Sequence, residues 1–161
     1  MKMAEPPSAN GVQFTGVGPG ARTEHGMIYD PVRARVVLFG GLTSPTFRND
    51  MWEYNGLSWT PVTPLGTAPS GRAGHMMVYD SGRQRAVVFG GRVASASYVN
   101  ETWEWDGASW NLRAPASAPS ARGYAAMAYD PQRLRTVLSG GSPLAGANST
   151  WEWDGSNWST V

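Results

Sequence analysis

Short runs of apolar and polar residues recur along this chain, each long enough for a β-strand and too short for a helix. The first kind of run is "HGMIYD" or "HMMVYD", closed by "DP" or "DS" and then Arg, a turn composition. The second is "RVVLFGG", "RAVVFGG" or "RTVLSGG", almost unbroken in β-branched and apolar residues, as suits a strand buried on both faces. The third is "MWEYN" or "TWEWD", whose alternation puts two aromatics on one face and Glu53, Glu104 or Glu152 on the other. "NG" or "DG" then predicts a tight hairpin, and a fourth strand begins at the next Trp. The pattern predicts four short antiparallel strands, written three times.

The register of that repetition is strict at first and looser later. Arg22, Arg72 and Arg122 fall at equal intervals, as do Tyr29-Asp30, Tyr79-Asp80 and Tyr129-Asp130, and the double glycines Gly40-Gly41, Gly90-Gly91 and Gly140-Gly141. Beyond the glycines the interval drifts, with Trp52, Trp103 and Trp151 opening the third strand. Each unit therefore has rigid parts and one variable loop: "LTSPTFRND", "RVASASYVNE" and "SPLAGANS". The boundaries read as a tail over 1–21, then units over 22–71, 72–121 and 122–161. Within the tail, "GVQFT" is a candidate edge strand, because Phe14 echoes the fourth-strand Trp.

Composition narrows the chemistry. Thirteen basic and twelve acidic residues leave a net charge of +1 with no basic run, so a phosphate-tracking nucleic-acid surface is not expected. The absence of Cys excludes disulfides, thiolate nucleophiles and Cys-type zinc sites. No stretch has the apolar length of a membrane span, and "MKMAEPPSANG" lacks the apolar core of an export signal, so a soluble chain is expected with its compartment left open.

Four strands repeated at about 50 residues match the kelch propeller blade. The specific marks are a hydrophobic strand ending in Gly-Gly, an aromatic, and a Trp at set spacing. They occur as Gly40-Gly41, Tyr54 and Trp59, as Gly90-Gly91, Trp105 and Trp110, and as Gly140-Gly141, Trp153 and Trp158. Arg22–His25 and Arg72–His75 open two of the units; the third departs, with Tyr124 and Ala125 there. The chain resembles kelch-repeat proteins, bacterial ones with "TWEWDG" strands above all, and through them the central domain of galactose oxidase. That resemblance implies an all-β fold of three four-stranded blades, half of a β-propeller. Closed rings take about four to eight blades. Completion to six blades by homodimerisation is therefore expected, ahead of an arc cut from a longer ring or an unclosed stack.

Candidate chemistry follows from the same register. The repeated Glu of the third strand is expected to pair with Arg35, Arg85 or Arg135, because a buried charge needs a partner. Asp30, Asp80 and Asp130 read as turn acceptors, and the Trp residues as blade-to-blade packing. In up-down order the variable loops and the openings of the first strands share one face. That loop face and its channel mouth gather the candidate binding residues Arg22, His25, Phe47, Arg48, Arg72, His75, Arg92, Tyr98, Arg122 and Tyr124. The resemblance extends to kelch adaptors that bind acidic peptides through arginines at this position, while the competing role for these arginines is hydrogen bonding to carbonyls of the next blade. Two His without ligand spacing, no Cys and no nucleophile constellation predict no enzyme, no metal and no cofactor. The expected function is a binding scaffold that self-associates and meets a protein partner, or a peptide or carbohydrate ligand, on its loop face or channel mouth. A lectin-like or carbohydrate-active fragment is the alternative, and a piece without an evolved ligand is a third.

Overall fold

The computed structural model describes residues 16–143 and 149–161, and the candidate edge strand at 11–15 lies outside them. Twelve strands form three antiparallel sheets of four, and among the described residues there is no helix. Sheet 1 holds β1 (Gly26–Asp30), β2 (Arg35–Phe39), β5 (Met51–Tyr54) and β6 (Trp59–Val62). Sheet 2 holds β7 (Met76–Asp80), β8 (Arg85–Phe89), β11 (Thr102–Trp105) and β12 (Trp110–Arg113). Sheet 3 holds β13 (Ala126–Asp130), β14 (Arg135–Ser139), β15 (Thr150–Trp153) and β16 (Trp158–Thr160). In each, the strands lie in sequence order, as the pattern predicts. Two ribbons too short to show alternation were not anticipated: β3 (Leu42–Thr43) with β4 (Thr46–Phe47), and β9 (Arg92–Ala94) with β10 (Ser97–Tyr98).

The turn chemistry repeats from unit to unit. Asp30 Oδ1 accepts the amides of Val32 and Arg33, Asp80 Oδ1 that of Arg83, and Asp130 Oδ1 those of Gln132 and Arg133. At the second hairpin Asn55, Asp106 and Asp154 each accept two amides, from residues two and three further on. These short polar side chains close the turns locally, which leaves the strands free to pack.

The sheets stack side by side, with the first strands β1, β7 and β13 as neighbours. Alternation gives each sheet a forward face towards the next sheet and a rear face towards the one before. Val37, Phe39 and Met51 of the first forward face meet Ala86, Val88, Trp103, Trp105 and Trp110 of the second rear face. Met76, Val87 and Phe89 likewise meet Leu138, Trp153 and Trp158. Across each join a Phe packs on a Trp, with ring centroids 5.0 Å apart for Phe39–Trp110 and 5.2 Å for Phe89–Trp158. The Trp residues of the second and third sheets thus hold sheet to sheet, the role their register predicts, while Trp52 and Trp59 of the first sheet have no sheet before them among the described residues.

The third-strand glutamates are paired, but not with the arginines expected. Glu53 accepts from Arg33, Glu104 from Arg83 and Arg113, and Glu152 from Arg133. Arg35 and Arg135 instead donate to the carbonyls of Ala34 and Leu134, and Arg85 lies 4.0 Å from Asp106. The reason is the left-handed residue between the two arginines, Ala34 (φ 50), Gln84 (φ 56) and Leu134 (φ 54). It swings the turn arginine back over the sheet, where it spans the turn Asp and the strand Glu. Glu104 is fully buried and also accepts Trp153 Nε1 from the next sheet at 3.0 Å, so one join is sealed over a satisfied charge.

Candidate binding site on the loop face

The three arginines that open the units turn inward and brace the double-glycine corners. Arg22 donates to the carbonyl of Gly40 at 3.0 Å and makes a bidentate pair with Asp50 at 2.7 and 2.8 Å. Arg72 donates to the carbonyls of Ser70 and Gly90 and to Glu101 at 2.6 Å. Arg122 does the same with Ser120 and Gly140. Burial is complete for Arg72 and nearly so for Arg122. The corner carbonyls of Gly40, Gly90 and Gly140 belong to the same unit as the arginine, and those of Ser70 and Ser120 to the link just before it, so none belongs to the next blade. These arginines consequently do not line an open channel mouth. Asp50 and Glu101 were not singled out from sequence, although an acid just before the third-strand Trp is visible in two units.

His75 is also withdrawn from the surface. It is wedged between the first two sheets, edge-on to Phe39 at 5.3 Å, and neither ring nitrogen finds a hydrogen-bond partner among the described residues. Burial, with the Arg72 charge beside it, lowers its pKa to about 3, so it is neutral. His25 is exposed, and Arg48 is exposed in its loop.

Around the openings of the first strands lies a compact cluster. Glu24, Gly74 and Tyr124 stand at equivalent positions, all in the left-handed region (φ 59, 62 and 56), and are chained by backbone hydrogen bonds. Gly74 N donates to the carbonyl of Glu24 at 2.9 Å, and Tyr124 N to that of Gly74 at 2.7 Å. Because the middle residue is Gly, the Tyr124 side chain lies across it, where a Cβ would come within 2.6 Å of the ring. From there the Tyr124 hydroxyl donates to Glu24 Oε2 at 2.6 Å. Arg92 Nη2 donates to the same carboxylate at 3.0 Å, and its guanidinium sits 5.3 Å over the Phe47 ring. Tyr98 packs at Gly123, with its hydroxyl 3.4 Å from Ser142 Oγ. The Tyr124 and Arg92 donors hold the Glu24 carboxyl below its usual pKa.

Four sequence-picked residues, Phe47, Arg92, Tyr98 and Tyr124, thus meet on one surface, with Tyr124 46% exposed. Glu24, which ties them together, was missed. Its signal was available: at a position of strict register the three units read Glu, Gly and Tyr, and variation within a fixed frame marks a surface free to specialise. With the cation neutralised by Glu24, the patch offers aromatic faces and edges more than net charge. Among the described residues no three His, Asp or Glu side chains gather as a metal site would need.

A family model for the KLHDC2/KLHL20/DRC7 Kelch-repeats domain matches residues 6–161. No curated protein matches the chain.

Proposed function

Because the chain belongs to the kelch-repeat family, whose repeats generally serve as protein-interaction scaffolds, we propose that it is a non-catalytic scaffold which closes a six-bladed ring with a second copy and meets a protein partner on its loop face. The observation that carries this reading is the pair of unmatched sheet faces. The rear face of sheet 1 leaves Met27 and Tyr29 more than half exposed (55% and 57%), while their equivalents Met77, Tyr79, Met127 and Tyr129 are covered at the joins. The forward face of sheet 3 is open in the same way, with Ala126, Ala128 and Ser139 exposed. Matched apolar faces of this kind associate in water, and a second copy supplies both complements at once.

The partner surface is the Phe47, Arg92, Tyr98 and Tyr124 cluster. Aromatic side chains and Arg are the usual anchors of protein recognition, and here they stand on loops carried by rigid sheets. Mass measured by light scattering on a sizing column tests the first half: a species near twice 17.3 kDa is expected, and 17.3 kDa at every concentration refutes ring closure. Selection against a displayed library of linear peptides tests the second. Enriched sequences should lose binding to the Phe47→Ala/Tyr98→Ala chain while its mass stays unchanged; binding that survives the double substitution places the partner elsewhere.

A further inference from the structure

Each join within the chain repeats a small set of contacts, and the two free faces carry the missing halves of a further one. At the corners, Gly41 N donates to the carbonyl of Arg72 and Gly91 N to that of Arg122, at 2.8 and 2.9 Å. Correspondingly, a Cβ on Gly40 or Gly90 would lie 2.8 or 2.2 Å from those carbonyl oxygens, whereas a Cβ on Gly140 meets nothing within 4 Å among the described residues. On the faces, Met77 lies against Gly26, Tyr79 faces the Asp30 carboxylate, and Tyr129 faces that of Asp80. The second join adds a polar latch, in which Trp158 Nε1 donates to Thr102 Oγ1 at 2.9 Å. In the first join Met51 occupies the latch position, and Trp110 Nε1 has no partner among the described residues.

The free forward face of sheet 3 is of the latched kind. Thr150 stands where Thr102 stands, Asp130 where Asp30 and Asp80 stand, and small residues make a hollow of about 180 Å³ lined by Ala126, Met127, Ala128, Val137 and Ser139. The free rear face of sheet 1 presents the complements: Trp59 as the indole donor, Tyr29 as the hydroxyl, and Met27 as a protruding side chain. Polar groups and shape match, and the arrangement continues two joins already present in the chain.

The geometry points to a second copy docked end to end, twice, about a two-fold axis. On this inference, which rests on the ring-closing reading above, Trp59 of the partner subunit donates to Thr150, Tyr29 of the partner subunit meets Asp130, and Met27 of the partner subunit fills the hollow at Ala126. The carbonyl of the partner's Arg22 accepts from Gly141 N. Each copy gives its forward face to the other's rear face, so no sheet face is left open.

Sedimentation of the wild type, of Met27→Asp, of Ala128→Asp and of a one-to-one mixture of the two variants tests this pairing. Both positions are on the surface of one copy, so the substitutions act on the join. Each variant alone is expected to raise the dimer dissociation constant by about 100-fold or more, because a carboxylate would be buried without a partner. Mixed, they are expected to recover a species of dimer mass, since the intact rear face of one variant meets the intact forward face of the other. Thr150→Val, which removes the latch acceptor at constant shape, is expected to weaken the dimer by about tenfold. A wild-type dimer that both Asp variants leave intact overturns the end-to-end pairing while self-association stands. A mixture still monomeric at the highest concentration, or a Thr150→Val dimer as tight as wild type, also overturns the pairing. A wild type that is monomeric throughout removes the ring-closing reading itself.

Discussion

His75 is a base that the fold keeps from taking a proton. Its ring is buried against Phe39 with both nitrogens unpaired among the described residues, and the charges facing it are those of Arg72 and, when protonated, His25. A folded pKa of about 3 against an ordinary 6.5 means that the unfolded chain binds the extra proton first as pH falls. Stability is therefore complete above pH 6.5 and declines between 6.5 and about 3. For this residue the loss between pH 7.5 and pH 5 comes to about 2 kcal/mol. Urea denaturation across that range should show a shallower slope for His75→Leu than for wild type, and equal slopes would refute the assignment. The His was visible in the sequence; its burial was not, because the pattern placed it at an opening that the structure closes against the sheet before it. The arginine pairs mark the same limit. Arg33 and Arg35 recur in identical register, and spacing alone does not say which reaches Glu53. The choice is made by the left-handed backbone at Ala34, Gln84 and Leu134, where no glycine marks the turn.

At the scale of elements, the four strands of each unit were legible because each carries its own local signal: Asp at the first turn, Asn-Gly or Asp-Gly at the second, and a change from continuous to alternating hydrophobicity between them. The ribbons β3/β4 and β9/β10 were not, since two or three residues cannot display a period. The double glycine was legible as a corner but carries two separate demands. Gly40, Gly90 and Gly140 all hold positive φ (66, 66 and 78), yet only the first two are also pressed by a neighbouring carbonyl. Conformational strain alone costs an Ala there about 1 kcal/mol. Backbone crowding at Gly90, where the added Cβ would lie 2.2 Å from the Arg122 oxygen, raises the cost to about 3 kcal/mol. Urea titrations of dilute Gly90→Ala and Gly140→Ala chains should separate the two. Equal destabilisation would mean that the glycines serve the corner alone and not the approach of the next sheet.

For the whole molecule, the decisive feature is a mismatch between number and geometry. Among the described residues, three sheets that each cover the one before leave one rear face and one forward face open, and local patterning says nothing about what covers them. Stacked repeats gain stability from each neighbour they bury, so the two end sheets have the most to gain from a further join. That cost shows in the third unit, where Arg133 is 55% exposed over Glu152 while Arg83, covered by sheet 3, is 29% exposed over a fully buried Glu104. If two copies supply the joins, folding and association are one equilibrium, and stability depends on concentration. For two chains of 161 residues unfolding together, the melting temperature should rise by about 2 °C per tenfold increase in concentration. Calorimetry over a hundredfold range reads that slope, and the Met27→Asp chain, confined to the monomer, should melt lower and without it. A wild-type melting temperature independent of concentration would mean that the three sheets are stable with both ends open, and that the exposed Met27, Tyr29 and Ala128 surfaces serve something other than a second copy.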